Sequence, residues 1–223
     1  MGRIVQKKGV KGSLKWIQEF VNEQPHLLDN PIKKIIRADK GCNIEWLSPH
    51  ANDDYSEYRD QAFLDLLGIK LSQKKLKDFW PNRGPQWDAL GRTGNETYFL
   101  VEAKAHISEI ISSCHAYSPK SKTLIKKSLN QTQKYLGLKT HIDPTRGLYQ
   151  YANRLAHLYL LRVLNNIPAY LVFVFFIDDP THISTSKAEW TGALEAMRSF
   201  LGGHKHKLSK YIIDVFVDVN RKF

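Results

Sequence analysis

The sequence predicts an α/β sandwich, a central mixed sheet flanked by helices. Three observations predict it. The nine-residue run Ala169–Ile177 (AYLVFVFFI) is apolar throughout, as expected of a strand covered on both faces. Tyr211–Val219 alternates, placing Tyr211, Ile213, Val215, Val217 and Val219 on one face and Asp214 and Asp218 on the other. Around these, the order helix, paired strands, helices, strand, helix, strand is that of one layered domain.

Taken in order, Ser13 is placed to cap a first helix, Leu14–Glu23, that stops before Pro25. Residues 25–52 read as short apolar pieces broken by Pro and Gly, so 1–52 is expected to be an N-terminal helical extension packed on a core of 53–223. Asn52-Asp53-Asp54 opens a helix that Gly68 ends, with Tyr55, Tyr58, Ala62, Phe63, Leu66 and Leu67 at helical spacing. Gln86–Leu90 and Thr97–His106 read as paired strands, with Gly91-Arg92-Thr93-Gly94-Asn95 as the reversal between them. A helix over about Thr123–Leu136 carries Ile125, Leu129, Thr132 and Leu136 on one face, and a second, about Leu148–Leu164, is apolar on most sides. Ser186-Lys187-Ala188-Glu189 has capping-box spacing for the helix that bears Trp190, Leu194, Met197 and Leu201.

The chain has 223 residues, enough for one domain with a substantial core. No apolar run approaches the roughly 20 residues of a membrane span, and the basic N-terminus lacks the apolar segment of a secretory signal. Cys42 and Cys114 are too few for a disulfide scaffold, and their spacing to His50 and His115 fits no zinc pattern. These features predict reduced thiols in a cytoplasmic protein. Lys and Arg outnumber Asp and Glu by 33 to 22, a net +11. The excess is clustered: Lys7, Lys8 and Lys11; Lys33, Lys34, Arg37 and Lys40; Lys70, Lys74, Lys75 and Lys77. Two more groups follow, one from Lys120 to Lys134 and one at His204-Lys205-His206-Lys207. Polyphosphate backbones are the usual partners of such surfaces, which points to nucleic acid and, with no strongly amphipathic basic helix, away from membranes.

The chemistry-bearing segment is QWDALGRTGNETYFLVEAKAH, Gln86 to His106. Glu102 and Lys104 are two apart on a strand and share a face, and a hairpin brings Asp88 alongside them. Hydrolysis of a phosphodiester needs charge neutralisation at the phosphate and a deprotonated water. Two carboxylates hold Mg²⁺ or Mn²⁺ through hard oxygens, while a lysine steadies the attacking water or the charge of the transition state.

The helix–hairpin–helix–strand order with Asp88 and Glu102-Ala103-Lys104 resembles the PD-(D/E)XK nuclease superfamily, with its restriction-endonuclease-like fold. Here the proline stands three positions ahead of the aspartate, as Pro85-Gln86-Trp87-Asp88. Gln131 and Tyr135 resemble the Q-x-x-x-Y signature of the RecB-like branch. The resemblance implies a Mg²⁺-dependent nuclease with Asp88, Glu102 and Lys104 as catalytic residues. It implies metal ligation by Asp88, Glu102 and the Ala103 backbone carbonyl. It also implies a further acid from the preceding helix, for which Glu57 and Asp60 both stand: wheel geometry favours Asp60, residue type Glu57.

Gln131 and Tyr135 lie four apart on one helical face with Lys127 and Lys134 close by, and form a candidate nucleic-acid contact. His106, one step beyond Lys104 on the same face, is another. Trp80, Trp87 and Tyr98 are expected to pack in the core. Two readings follow: a metal-dependent nuclease acting on nucleic acid, DNA before RNA, or a catalytically silent nucleic-acid-binding module of the same fold. Cutting both strands of a duplex would favour a homodimer.

Overall fold

A computed structural model describes residues 2–37, 42–139, 142–203 and 205–220. Lys40 and His204, members of two of the basic clusters, lie outside the described residues. The elements are β1 (Arg3–Ile4), α1 (Gly12–Glu23), α2 (His26–Ile36), β2 (Ile44–Ser48), β3 (Glu57–Tyr58), α3 (Asp60–Leu67), β4 (Ala89–Thr93) and β5 (Tyr98–Lys104). Then come α4 (Pro119–Leu136), α5 (Tyr149–Arg162), β6 (Ala169–Ile177), α6 (Lys187–Phe200) and β7 (Ile212–Asp218). Among the described residues no helix is long and apolar enough to cross a membrane.

The central sheet has five strands in the order β2-β4-β5-β6-β7; β2, β4 and β5 are antiparallel neighbours, whereas β5-β6 and β6-β7 are parallel. It is therefore a mixed sheet flanked by helices. Alternation sorts its side chains into two layers. Phe99, Val101, Ala103, Val172, Val174 and Phe176 meet Trp16, Phe20, Leu28 and Ile32 of α1 and α2. On the other face Leu100, Leu171, Phe173 and Phe175 meet Ala156, Leu160 and Trp190 of α5 and α6. Glu102 and Lys104 share the parity of Leu100 and so point into this second layer, beneath α5. The alternation expected in the last strand holds, with Ile213, Val215 and Val217 buried. The Ser186–Glu189 capping box is formed with both of its reciprocal bonds.

Tertiary contacts overrode the local signals at four places. The first helix starts at Gly12, without a side-chain cap, because the Gly12 N–H donates to Thr181 Oγ1 (3.2 Å); Ser13 is not its cap. The stretch 25–52 holds α2 and β2, and α2 continues through Pro31 because Leu28 and Ile32 are wholly buried against the sheet. The first 52 residues thus supply a strand of the central sheet as well as the helices packed on it. The expected helix over 52–67 begins only at Asp60. Ahead of it, Tyr58 bridges to Trp87 and Arg59 N–H donates to the Gly2 carbonyl (2.8 Å), pairings that hold Glu57–Tyr58 extended. Finally, β4 runs on through Thr93, and the reversal lies at Gly94–Thr97, where Thr93 N–H donates to the Thr97 carbonyl (2.9 Å).

Candidate active site

Asp88, Glu102 and Lys104 converge in a cleft of about 960 Å³, together with Glu57, Gln86, Gln150, Asn153 and Arg154. The sequence brings them there by four routes. Asp88 sits one residue ahead of β4 and is fixed by two backbone bonds: its N–H donates to the Val101 carbonyl (3.2 Å), and its Oδ2 accepts from Ala103 N–H (2.7 Å). Glu102 and Lys104 come from the end of β5. Glu57 comes from β3, where pairing turns it inward to 4% exposure. Gln150, Asn153 and Arg154 come from the first turns of α5.

Glu102 and Lys104 lie at the cleft floor, 2% and 8% exposed. Lys104 Nζ is paired with Glu102 Oε1 and donates to Gln150 Oε1 (3.2 Å). Arg154 Nε donates to Glu102 Oε2 (2.7 Å), and its other nitrogens reach Asn153 Oδ1 (2.9 Å) and the Gln86 carbonyl (2.7 Å). Its guanidinium lies over the Trp87 ring, 4.8 Å from the centroid. One arginine therefore ties α5 to β5 and to the segment entering β4.

The charges do not balance evenly. Burial would push Glu102 up, but Arg154 and Lys104 hold its carboxyl below the usual range. Burial would push Lys104 down, but Glu102 and Asp88 hold its ammonium above the ordinary value. Asp88 is driven well above the usual carboxylate range by burial and then by the neighbouring charges of Glu102 and Glu57; Lys104 and the Ala103 N–H only partly oppose this. Glu57 is raised by burial, against hydrogen bonds from Gln86 and Gln6. Among the described residues, neither Asp88 nor Glu57 has a cation within ion-pair distance. As the side chains stand, no group of three or more His, Cys, Asp or Glu among the described residues is arranged to hold a metal ion. Glu102 has both oxygens turned to cations.

Glu57 and Asp60 are placed differently by their elements. Wheel geometry does not apply to Glu57, which lies on a strand and lines the cleft. Asp60 starts α3 and accepts from Arg83 N–H (3.1 Å) and Gly84 N–H (2.8 Å), holding the loop that edges the cleft. Five other candidates are not brought in. From α4 only Ser121 and Ile125 line the cleft. Gln131 lies six residues beyond Ile125, roughly 9 Å along the helix axis, and donates to Tyr159 Oη (3.2 Å). Tyr135 packs its ring on Tyr159 at 5.1 Å, and Lys127 and Lys134 are exposed and do not line the cleft. His106 is drawn aside by Glu109 (3.1 Å) and stacks on His182 with centroids 4.7 Å apart. Trp80, Trp87 and Tyr98 are core residues, as expected.

Sequence reasoning missed Gln150, Asn153 and Arg154. The available signal was three polar side chains at i, i+3 and i+4 in a helix otherwise apolar on most sides; such residues share one face, and burial demands partners for them.

One turn further along α5, His157 is enclosed by Trp80 (4.9 Å between centroids), Trp87 (6.1 Å) and Phe63 (6.4 Å), and its Nδ1 donates to the Asn153 carbonyl (2.8 Å). Burial pushes its pKa down to about 3. The unfolded imidazole takes up a proton near pH 6.5, whereas the folded one refuses it until about pH 3. Stability is therefore lost as pH falls through that window. Between pH 7 and pH 4 this one group should cost about 3 kcal/mol. Urea unfolding of His157→Phe should show an acid loss smaller by about that amount; an unchanged difference would remove His157 as the cause.

Comparison with known proteins finds no matching family model, no matching curated protein and no matching solved structure.

Proposed function

We propose that the cleft hydrolyses phosphodiester bonds in nucleic acid, DNA foremost, as a Mg²⁺- or Mn²⁺-dependent nuclease. The observation that carries this reading is the gathering of Asp88, Glu102 and Lys104 at one cleft floor, with Glu57 as a third carboxylate beside them. The donors are hard oxygens of the kind Mg²⁺ prefers. Among the described residues neither half-buried Asp88 nor buried Glu57 has a cation within ion-pair distance, a charge arrangement that a divalent cation relieves. Asp88, Glu102, Glu57 and the Ala103 carbonyl would hold the ion. When bound, it would neutralise charge at the phosphate and make a water more acidic. Lys104, kept charged by Glu102 and aimed by Gln150, donates to the phosphate oxygens as negative charge builds on them. Arg154 keeps Glu102 ionised and oriented, and the Ala103 N–H fixes the Asp88 carboxylate.

A restriction-endonuclease-like architecture is part of the same proposal. Its support is an antiparallel β2-β4-β5 unit with β6 parallel to β5, the aspartate at the entry to one strand and Glu-x-Lys at the end of the next. The second reading, a silent nucleic-acid-binding module, has one observation in its favour: both Glu102 oxygens are already paired, to Lys104 and Arg154. Incubating plasmid, linear duplex and single-stranded DNA with Mg²⁺, Mn²⁺ or EDTA separates the two. Metal-dependent cleavage supports the nuclease; binding that weakens steeply with salt, without cleavage in any metal, supports the silent module.

A further inference from the structure

Beside the cleft runs a second recess of about 360 Å³, between the N-terminal half of α4 and the residues Ser113, Cys114, Asp143, Thr145 and Arg146. The two adjoin, since Ser113 and Ile125 line both. Its charged walls are Lys122, Lys126 and Arg146, all exposed. Lys122 and Lys126 are one turn apart on α4 and present the same face. Among the described residues none of the three is within ion-pair distance of a carboxylate. The recess also contains Asp143, whose Oδ1 is occupied by Thr145 N–H (2.9 Å) and Thr145 Oγ1 (2.6 Å). Three cations against one carboxylate leave a net +2.

The floor is built rather than loose. Ser112 N–H donates to the Gly147 carbonyl (2.7 Å), Cys114 N–H to the Thr145 carbonyl (2.8 Å) and Tyr149 N–H to the Ser112 carbonyl (3.1 Å). Ser112 Oγ also accepts from Gln150 N–H (2.8 Å), and Gln150 is the residue that holds Lys104. The basic recess and the cleft floor therefore share one hydrogen-bonded frame. Where that frame meets α4, Tyr117 is 91% exposed and lines the cleft, an aromatic face open to a stacking base.

We infer that this recess binds the sugar–phosphate backbone of a single-stranded nucleic acid as it leaves the cleft, with Lys122, Lys126 and Arg146 on successive phosphates and Tyr117 beneath a base. The inference rests on the proposed reading of the cleft as a nuclease site and specifies its substrate. A single strand is favoured because Glu102 and Lys104 lie at the cleft floor. The phosphate has to descend to them, and a lone flexible strand can adjust its backbone to do so more readily than one held in register by a paired partner.

The test is fluorescence anisotropy with a labelled oligothymidylate and a labelled duplex of equal length, in EDTA, across a salt series. For Lys122→Ala/Lys126→Ala/Arg146→Ala, single-strand binding should weaken at least about tenfold, and the log–log salt slope should fall by about 2. Tyr117→Ala should weaken it about fivefold or more. Lys33→Ala/Lys34→Ala/Arg37→Ala, which removes as many charges from the opposite side of the sheet, should leave the slope nearer the wild type. Wild-type affinity and slope in the recess variant would overturn the inference, as would tighter binding of the duplex. The two proposals fail separately. Weakened binding in the recess variant of a protein that cleaves in no metal upholds the recess and overturns the nuclease. Cleavage with unaltered binding does the reverse.

Discussion

Lys104→Ala is expected to slow metal-dependent cleavage by about 10²–10³-fold, the usual loss when one preorganised donor to a developing negative charge is removed. Lys104 is nearly buried and shares its ammonium between Glu102 and Gln150, so its position is set before substrate arrives. Folding should survive the change, because Glu102 keeps Arg154. Oligonucleotide binding in EDTA should stay close to wild type, because the exposed cations lie elsewhere. Glu102→Gln should slow cleavage at least as much. A Lys104→Ala protein that cleaves at the wild-type rate would remove Lys104 from the chemistry, and a fully active Asp88→Ala protein would overturn the site itself.

Arg154→Met should be the most destabilising of the polar changes, by about 3–5 kcal/mol, which is roughly 6–20 °C in melting temperature for a chain of this size. The methionine fills much of the same space but leaves Glu102, 2% exposed, with only Lys104 to balance it. It also strips the Gln86 carbonyl of its donor and the Trp87 face of its cation. A charge origin has a signature that lost packing does not share: adding Glu102→Gln to Arg154→Met should restore part of the stability, a coupling that a double-mutant cycle reads directly. If the double variant melts no higher than Arg154→Met alone, the loss comes from packing.

The residues that matter divide by how local their signals are. Asp88, Glu102 and Lys104 could be read because strand alternation and a short hairpin fix their common face within one stretch of chain. The strands Ala169–Ile177 and Ile212–Asp218 and the Ser186 capping box were legible for the same reason. Helical spacing of Tyr55, Tyr58, Ala62 and Phe63 predicts a helix around Glu57, whereas pairing of Tyr58 with Trp87, far along the chain, makes it a strand. Arg154 was hidden because its helix is buried almost all round, where an apolar pattern says nothing about which face meets the sheet. Gln131 and Tyr135 show the converse. Their spacing is right, but how far α4 extends past the cleft is set by packing, and packing gave them Tyr159 as a partner.

The register of β5 has a consequence for how this chain tolerates change in length. Val101 and Ala103 fit against α1 and α2, while Glu102 and Lys104 face α5. One residue inserted or deleted between Val101 and Lys104 would exchange the two sets, sending a carboxylate and an ammonium into the apolar layer and a methyl group to the cleft floor. The same insertion at Gly94–Asn95, in the turn before the strand, would be absorbed by the loop. Frame-preserving length variation should therefore be admissible on one side of Tyr98 and lethal to fold and site together on the other.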